Sequence, residues 1–147
     1  MASLLTLTQT QPSRSLASGE VLIAEGNGGG DLYVLETGRL IVTRGGVEIA
    51  RIETPGALIG EMSVLLGKDS SATVRADGAA KVRVVADAIA FLERQPLVAL
   101  GVATLLSERL DATSAIVVEL RKESQSGKAA EHSMFERLMK ALMAQPQ

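Results

Sequence analysis

Between Ser15 and Val85 the chain is cut by glycine-bearing turns into short apolar segments, and only one segment has helical character. This punctuation is the strongest constraint on what the sequence can fold into. Val21-Leu22-Ile23-Ala24 is followed by Glu25-Gly26-Asn27-Gly28-Gly29-Gly30, which suits neither helix nor strand interior and reads as a flexible loop. Leu32-Tyr33-Val34-Leu35 precedes the turn Glu36-Thr37-Gly38. Leu40-Ile41-Val42-Thr43 is rich in β-branched residues, and Arg44-Gly45-Gly46 then predicts a hairpin. Val47 to Ile52 alternates apolar and polar residues, the pattern of a half-buried strand. Thr54-Pro55-Gly56 is a further turn, and strand character returns at Ala72–Ala76 and Lys81–Val85. Strands at this spacing predict a sandwich, jelly roll or barrel. The exception is Gly60-Glu61-Met62-Ser63-Val64-Leu65-Leu66-Gly67, with room for a turn or two of helix. Its first amides lack intrahelical acceptors and predict an anion site.

After Val85 the pattern is helical to the end. Asp87 is placed to cap a helix through Arg94, and Pro96 suits the first turn of the next. From Leu97 to Lys122 only Gly101 interrupts. Ala99, Ala103, Leu106, Leu110, Thr113, Val117 and Leu120 follow alternating steps of four and three, a heptad seam. That seam suits packing on the β-structure or pairing with a second copy. Ser124-Gln125-Ser126-Gly127 predicts a break. Met134, Phe135, Leu138, Met139, Leu142 and Met143 then share one face of a terminal helix, suited to a lid, a dimer element or a partner surface. Residues 1–15 form an N-terminal segment, 16–123 the main domain and 124–147 the break and last helix.

Composition removes whole classes of function. A chain of 147 residues with 46% hydrophobic residues can bury a core without staples. A net charge of −2 gives no bulk attraction to nucleic acid, and an aromatic content of 2% leaves no base-stacking platform. The absence of cysteine and the single histidine, His132, exclude thiolate chemistry, disulfides and multi-histidine metal centres. His132 is expected to face solvent or cap a helix. No Ser-His-Asp order, H-E-x-x-H or P-loop is present, so the chain is not expected to be an enzyme. No apolar run is long enough to span a bilayer and no basic residue precedes the first apolar stretch, so a cytoplasmic address is expected.

The segment Ile59-Gly60-Glu61-Met62-Ser63-Val64-Leu65-Leu66, followed by Ser70-Ser71-Ala72-Thr73-Val74-Arg75-Ala76, resembles the phosphate-binding cassette of cyclic nucleotide-binding domains. Leu16–Gly26 looks like that family's opening strand pair, and Asp31–Gly38 like the strand that follows. The likeness runs from Leu16 to Leu120 in matching order. It implies a mainly β, α+β fold: a double-stranded β-helix or jelly-roll β-roll with a short cassette helix and C-terminal helices. It also implies a ligand site at Gly60, Glu61, Met62, Ser70, Ser71, Ala72 and Thr73. Glu61 matches the carboxylate that accepts from the ribose 2′-hydroxyl. The amides near Gly60 and Met62 face sugar and phosphate, Ser71 reaches the phosphate or base, and Ala72 and Thr73 continue the cassette.

One departure bears on affinity. Where the family has Pro then Arg, this sequence has Asp69 and Ser70. A guanidinium there gives charge-assisted contacts to phosphate, and losing such a partner costs roughly 2–5 kcal/mol. Lys68 and Arg75 are the nearby cations. The resemblance therefore implies a regulatory sensor for cAMP or cGMP of weakened affinity, with no other cofactor. The alternative is a nucleotide-free β-roll that dimerises or recruits a protein. The bacterial branch of the family implies a homodimer through the long helix. The stretch after Lys122 is too short for a winged helix-turn-helix, so no nucleic-acid polymer is expected as partner, and the few basic residues of the last helix, Lys128, Arg137 and Lys140, argue against a membrane surface.

Overall fold

The computed structural model describes residues 2–124 and 129–143. The expected β-roll is present as two four-stranded sheets, every pairing antiparallel. Helix α1 (Leu4–Leu7) leads into β1 (Ser13–Leu16), β2 (Val21–Ile23), β3 (Leu32–Thr37), β4 (Leu40–Arg44), β5 (Val47–Ile52) and β6 (Leu58–Ile59). Helix α2 (Glu61–Leu66) follows, then β7 (Thr73–Ala76), β8 (Ala80–Val85), α3 (Ala88–Arg94), α4 (Pro96–Glu123) and α5 (Ala129–Leu142). One sheet has the order β1-β8-β3-β6 and the other β2-β7-β4-β5.

Strand alternation builds the interior. Leu16, Leu35, Ile59, Ala80 and Val82 of the first sheet meet Leu22, Leu40, Val74 and Ala76 of the second in one apolar cluster. Burying each large aliphatic side chain contributes about 1.5–3 kcal/mol. In β3 both Val34 and Leu35 are buried although successive side chains point to opposite faces, so this strand is covered on both sides. On the Val34 side, Arg83 is the β8 partner of Val34, and its Nη1 donates to the Leu5 carbonyl at 3.1 Å. Helix α1 thus lies over that face. Its start is capped by the Ser3 hydroxyl, and the buried Thr8 hydroxyl donates to the Leu4 carbonyl at 2.6 Å. A Cβ at Gly101 would meet Leu4 Cδ2 at 3.1 Å, which accounts for a glycine inside a long helix, where it otherwise costs about 1 kcal/mol.

The turn at Gly38 shows the punctuation at its strictest. Its φ is +88°, and a Cβ would sit 2.5 Å from the Ala79 carbonyl oxygen. Only glycine fits there.

Several sequence expectations need correction. Helix α1 and strand β6 are not among the expected elements, because both are too short for periodicity to reveal them. Strand β5 was expected to be half-buried. It is exposed except for Ile52, because it ends its sheet and a register shift between Val42 and Thr43 leaves Ile49 without a partner on β4. Asp87 does stand at the N-cap of α3, but with φ +47° its side chain makes no capping hydrogen bond.

The chain forms two compact units, Met1–Val102 and Ala103–Gln147. The second holds most of α4 and α5. Within it Val117 is buried and Leu106 half-buried, while Ala103, Leu110, Thr113 and Leu120 of the expected seam are exposed. Helix α5 exposes Met134 and Leu138, and Met143, just after its end, is exposed as well. The expected break at Gln125–Gly127 and the side chains of His132 and Phe135 lie outside the described residues. No single described helix is long and apolar enough to cross a membrane.

Candidate functional site

The interrupting helix of the sequence is α2, and its two glycines set its ends. Gly60 adopts φ +88° at the N-cap and Gly67 φ +61° at the C-cap, the left-handed region that favours glycine. A Cβ at Gly60 would also press to 3.2 Å of the Asp31 carbonyl oxygen and 3.3 Å of Ile23 Cδ1. One turn apart, Glu61 and Val64 face inward and are buried, whereas Met62, Leu65 and Leu66 face outward. A carboxylate in the first turn is favoured by the amide dipoles of the helix start. Glu61 is 8% exposed and interacts with the protein around it.

The loop after α2 is stitched to the loop after β2. The Gly26 amide donates to the Ser70 carbonyl at 2.8 Å, and the Ser70 amide donates to the Asn27 carbonyl at 2.9 Å. The Ser70 hydroxyl donates to the Ala72 carbonyl at 2.7 Å. One residue pair further on, the Glu25 amide donates to the Thr73 hydroxyl at 3.0 Å. Glu25 Oε2 in turn accepts from the Gly45 amide at 3.1 Å, so the β4–β5 hairpin tip joins the same loop cluster. Ser70, Ala72 and Thr73 are partly buried, and Ser71 is exposed.

Two cavities adjoin α2. One, of about 220 Å³, is lined by Leu22, Ile23, Ala24, Asn27, Asp31, Tyr33, Gly60 and Ser63. The second, of about 270 Å³, lies between the Gly28–Gly30 loop, the end of α2 with Lys68 and Asp69, and the start of α3 at Asp87 and Ile89. Gly28, Gly29 and Ser63 border both. Burial, and then the Asp31 carboxylate, raise the Tyr33 phenol above its ordinary 10.0 against the pull of Arg14. The phenol is therefore protonated at neutral pH and able to donate to a ligand.

Of the seven residues expected to bind ligand, Gly60 alone lines either of these two cavities. Glu61, Ser70 and Thr73 stand close by in the chain, with polar groups engaged within the protein. Lys68 borders the larger cavity, while Arg75 lies exposed on β7, paired with Val21 and Ile41 in the second sheet. Asn27, Asp31 and Tyr33 line the smaller cavity without being among the expected ligand residues. Asp31 and Tyr33 belong to the stretch that resembles the family's third strand, and no chemical pattern in the sequence marks them as pocket walls. Among the described residues no cluster of three acidic or histidine side chains is arranged to hold a metal ion.

The family model for the cyclic nucleotide-binding domain matches residues 13–94, which span both sheets, α2 and α3. The chain belongs to this family. Among solved structures, the catabolite activator protein of Thermus thermophilus is 30% identical with a TM-score of 0.65; the match covers 78% of this chain and 57% of that one. This chain thus corresponds to little more than half of that protein. The N-terminal domain of a transcriptional regulator from Streptomyces coelicolor A3(2) is 28% identical over 74% of this chain and 81% of that one, with a TM-score of 0.57. A structure of PKAR CBD2 with Sp-2Cl-cAMPS bound shares the fold at 22% identity, covering 78% of this chain and 75% of that one, with a TM-score of 0.62. No curated protein matches the chain by sequence.

Proposed function

We propose that this cyclic nucleotide-binding domain is a regulatory sensor that takes cAMP or cGMP with weakened affinity. The observation that carries this reading is the cassette itself: a short helix between two left-handed glycines, followed by a loop tied to the β2–β3 connection. A cyclic monophosphate carries one negative charge, so a cluster of backbone donors beside a sugar-facing carboxylate suits it. Gly60, Glu61, Met62, Ser70, Ser71, Ala72 and Thr73 remain the proposed contacts. Without an arginine at position 70, the phosphate lacks its bidentate partner.

Binding would favour one arrangement of α2 and the helices that follow over another, and the shift is limited by the differential affinity for the two. Residues 16–123 would form the sensor, with 1–15 and 124–147 flanking it. The exposed Leu110 and Leu120 on α4 suit a homodimer through that helix. No reaction is assigned, and neither DNA nor membrane is invoked as a partner.

A second reading has its own observation. Ser70 engages its amide, carbonyl and hydroxyl within the chain, and Glu61 is buried and engaged. That suits a nucleotide-free roll retained as an interaction module. Calorimetric titration of cAMP and cGMP into the wild type and a Ser70→Arg variant separates the two readings.

A further inference from the structure

Gly28, Gly29 and Gly30 are three successive glycines whose φ angles all lie outside the left-handed region. The backbone does not demand glycine at these positions. A Cβ at Gly29 or Gly30 would enter open space, and one at Gly28 would approach Asp69 Oδ1 at 3.3 Å. All three line the 270 Å³ cavity, so what their lack of side chains secures is room.

The charges at that cavity are a second, independent observation. At its exposed rim Lys68 contributes an ammonium, and Asp69 and Asp87, exposed as well, contribute carboxylates. Among the described residues none of these three side chains has an ion-pair partner. Val64 and Ile89 supply an apolar part of the wall. A simple anion would meet two carboxylates there, and a simple cation would meet Lys68. A molecule with both charges and a short aliphatic group matches all three features. The volume of about 270 Å³ lies just below the usual range of ligand pockets, which limits the occupant to a small molecule.

We propose that this cavity is a second ligand site, distinct from the nucleotide contacts, that binds a small aliphatic zwitterion of the amino-acid type. Lys68 pairs with the carboxylate, and Asp69 and Asp87 with the ammonium. Asp87 is held in its left-handed conformation at the rim, its amide donating to Asp31 Oδ1 at 3.3 Å while the Ala88 amide donates to the Gly30 carbonyl at 2.8 Å. The glycine loop and the start of α3 are thereby fixed to each other.

The test is titration calorimetry on the full chain with three probes of similar shape: L-leucine, 4-methylpentanoate and isopentylamine. Leucine should bind, and each probe lacking one charge should bind at least roughly tenfold more weakly, a difference of about 1.4 kcal/mol. Lys68→Gln and Asp69→Asn should each weaken leucine by a similar factor. Gly29→Leu should fill the cavity and abolish leucine binding while leaving the circular dichroism spectrum unchanged. No heat with leucine at millimolar concentrations, or equal affinity for all three probes, would overturn the proposal. So would undiminished leucine binding by the Lys68→Gln and Asp69→Asn variants, which keep the backbone intact even where Gly29→Leu fails to fold.

Discussion

The Ser70 amide donates to the Asn27 carbonyl at 2.9 Å, joining the cassette loop to the loop after β2 through the main chain. A main-chain bond leaves position 70 open to side-chain replacement but not to loss of its N–H. Ser70→Pro, which removes that donor, should destabilise the chain by about 1–3 kcal/mol, and Ser70→Ala by about 1 kcal/mol or less. Urea denaturation midpoints of the two variants check the order. Equal losses would show that the stitch carries no weight.

Arg83 and Glu36 form a largely buried ion pair on the helix-covered face of the first sheet, and Ser13 donates to the same carboxylate oxygen at 3.0 Å. Breaking a buried pair from one side strands the other charge. Arg83→Met should therefore cost on the order of 3 kcal/mol, and should also release the Leu5 carbonyl that anchors α1. Thermal unfolding of the variant is the measurement, with faster amide exchange in α1 as its signature.

The same pair sets a pH dependence. Burial opposes ionisation of Glu36, but hydrogen bonds from Arg83 and Ser13 and the charges of Arg83 and Lys81 outweigh it, holding the carboxyl below its ordinary 4.5. A carboxylate with a lowered native value contributes stability that is complete above 4.5 and lost as pH falls through the native value. The wild type should lose stability in that acid window, and Glu36→Gln should flatten the decline. Denaturation midpoints against pH test this, and parallel curves would contradict it.

Two glycines should respond differently to alanine. At Gly38 a Cβ would lie 2.5 Å from the Ala79 carbonyl oxygen and 2.7 Å from Ala80 Cα, both main-chain atoms that cannot yield cheaply. At Gly60 the nearest contacts are 3.2 and 3.3 Å, one of them the end of the Ile23 side chain. Both pay about 1–2 kcal/mol for left-handed backbone, and Gly38→Ala adds about 1–3 kcal/mol of overpacking. Gly38→Ala should have the lower melting temperature.

Much of this architecture was legible because glycine turns and β-branched runs mark strands locally. The stretches around Leu40–Thr43 and Lys81–Val85 became strands β4 and β8, and Gly60–Gly67 became a helix between capping glycines. Short elements were not legible: α1 is four residues and β6 two, below the length at which any period can be read. The exposure of β5 depended on its place at the sheet edge, which local alternation does not encode. The site was legible as a motif but not as a space. Tyr33 and Asp31 reach a cavity wall only because β3 runs beside Gly60, and the Gly28–Gly30 loop became a wall rather than a mere linker.

The most direct measurement is the affinity of the wild-type chain for cAMP and cGMP by calorimetry, with Ser70→Arg alongside. Weak but saturable binding by the wild type is expected, tightening about 30-fold or more once the guanidinium is restored. Nucleotide binding by Ser70→Arg with none by the wild type, or none by either, would contradict it.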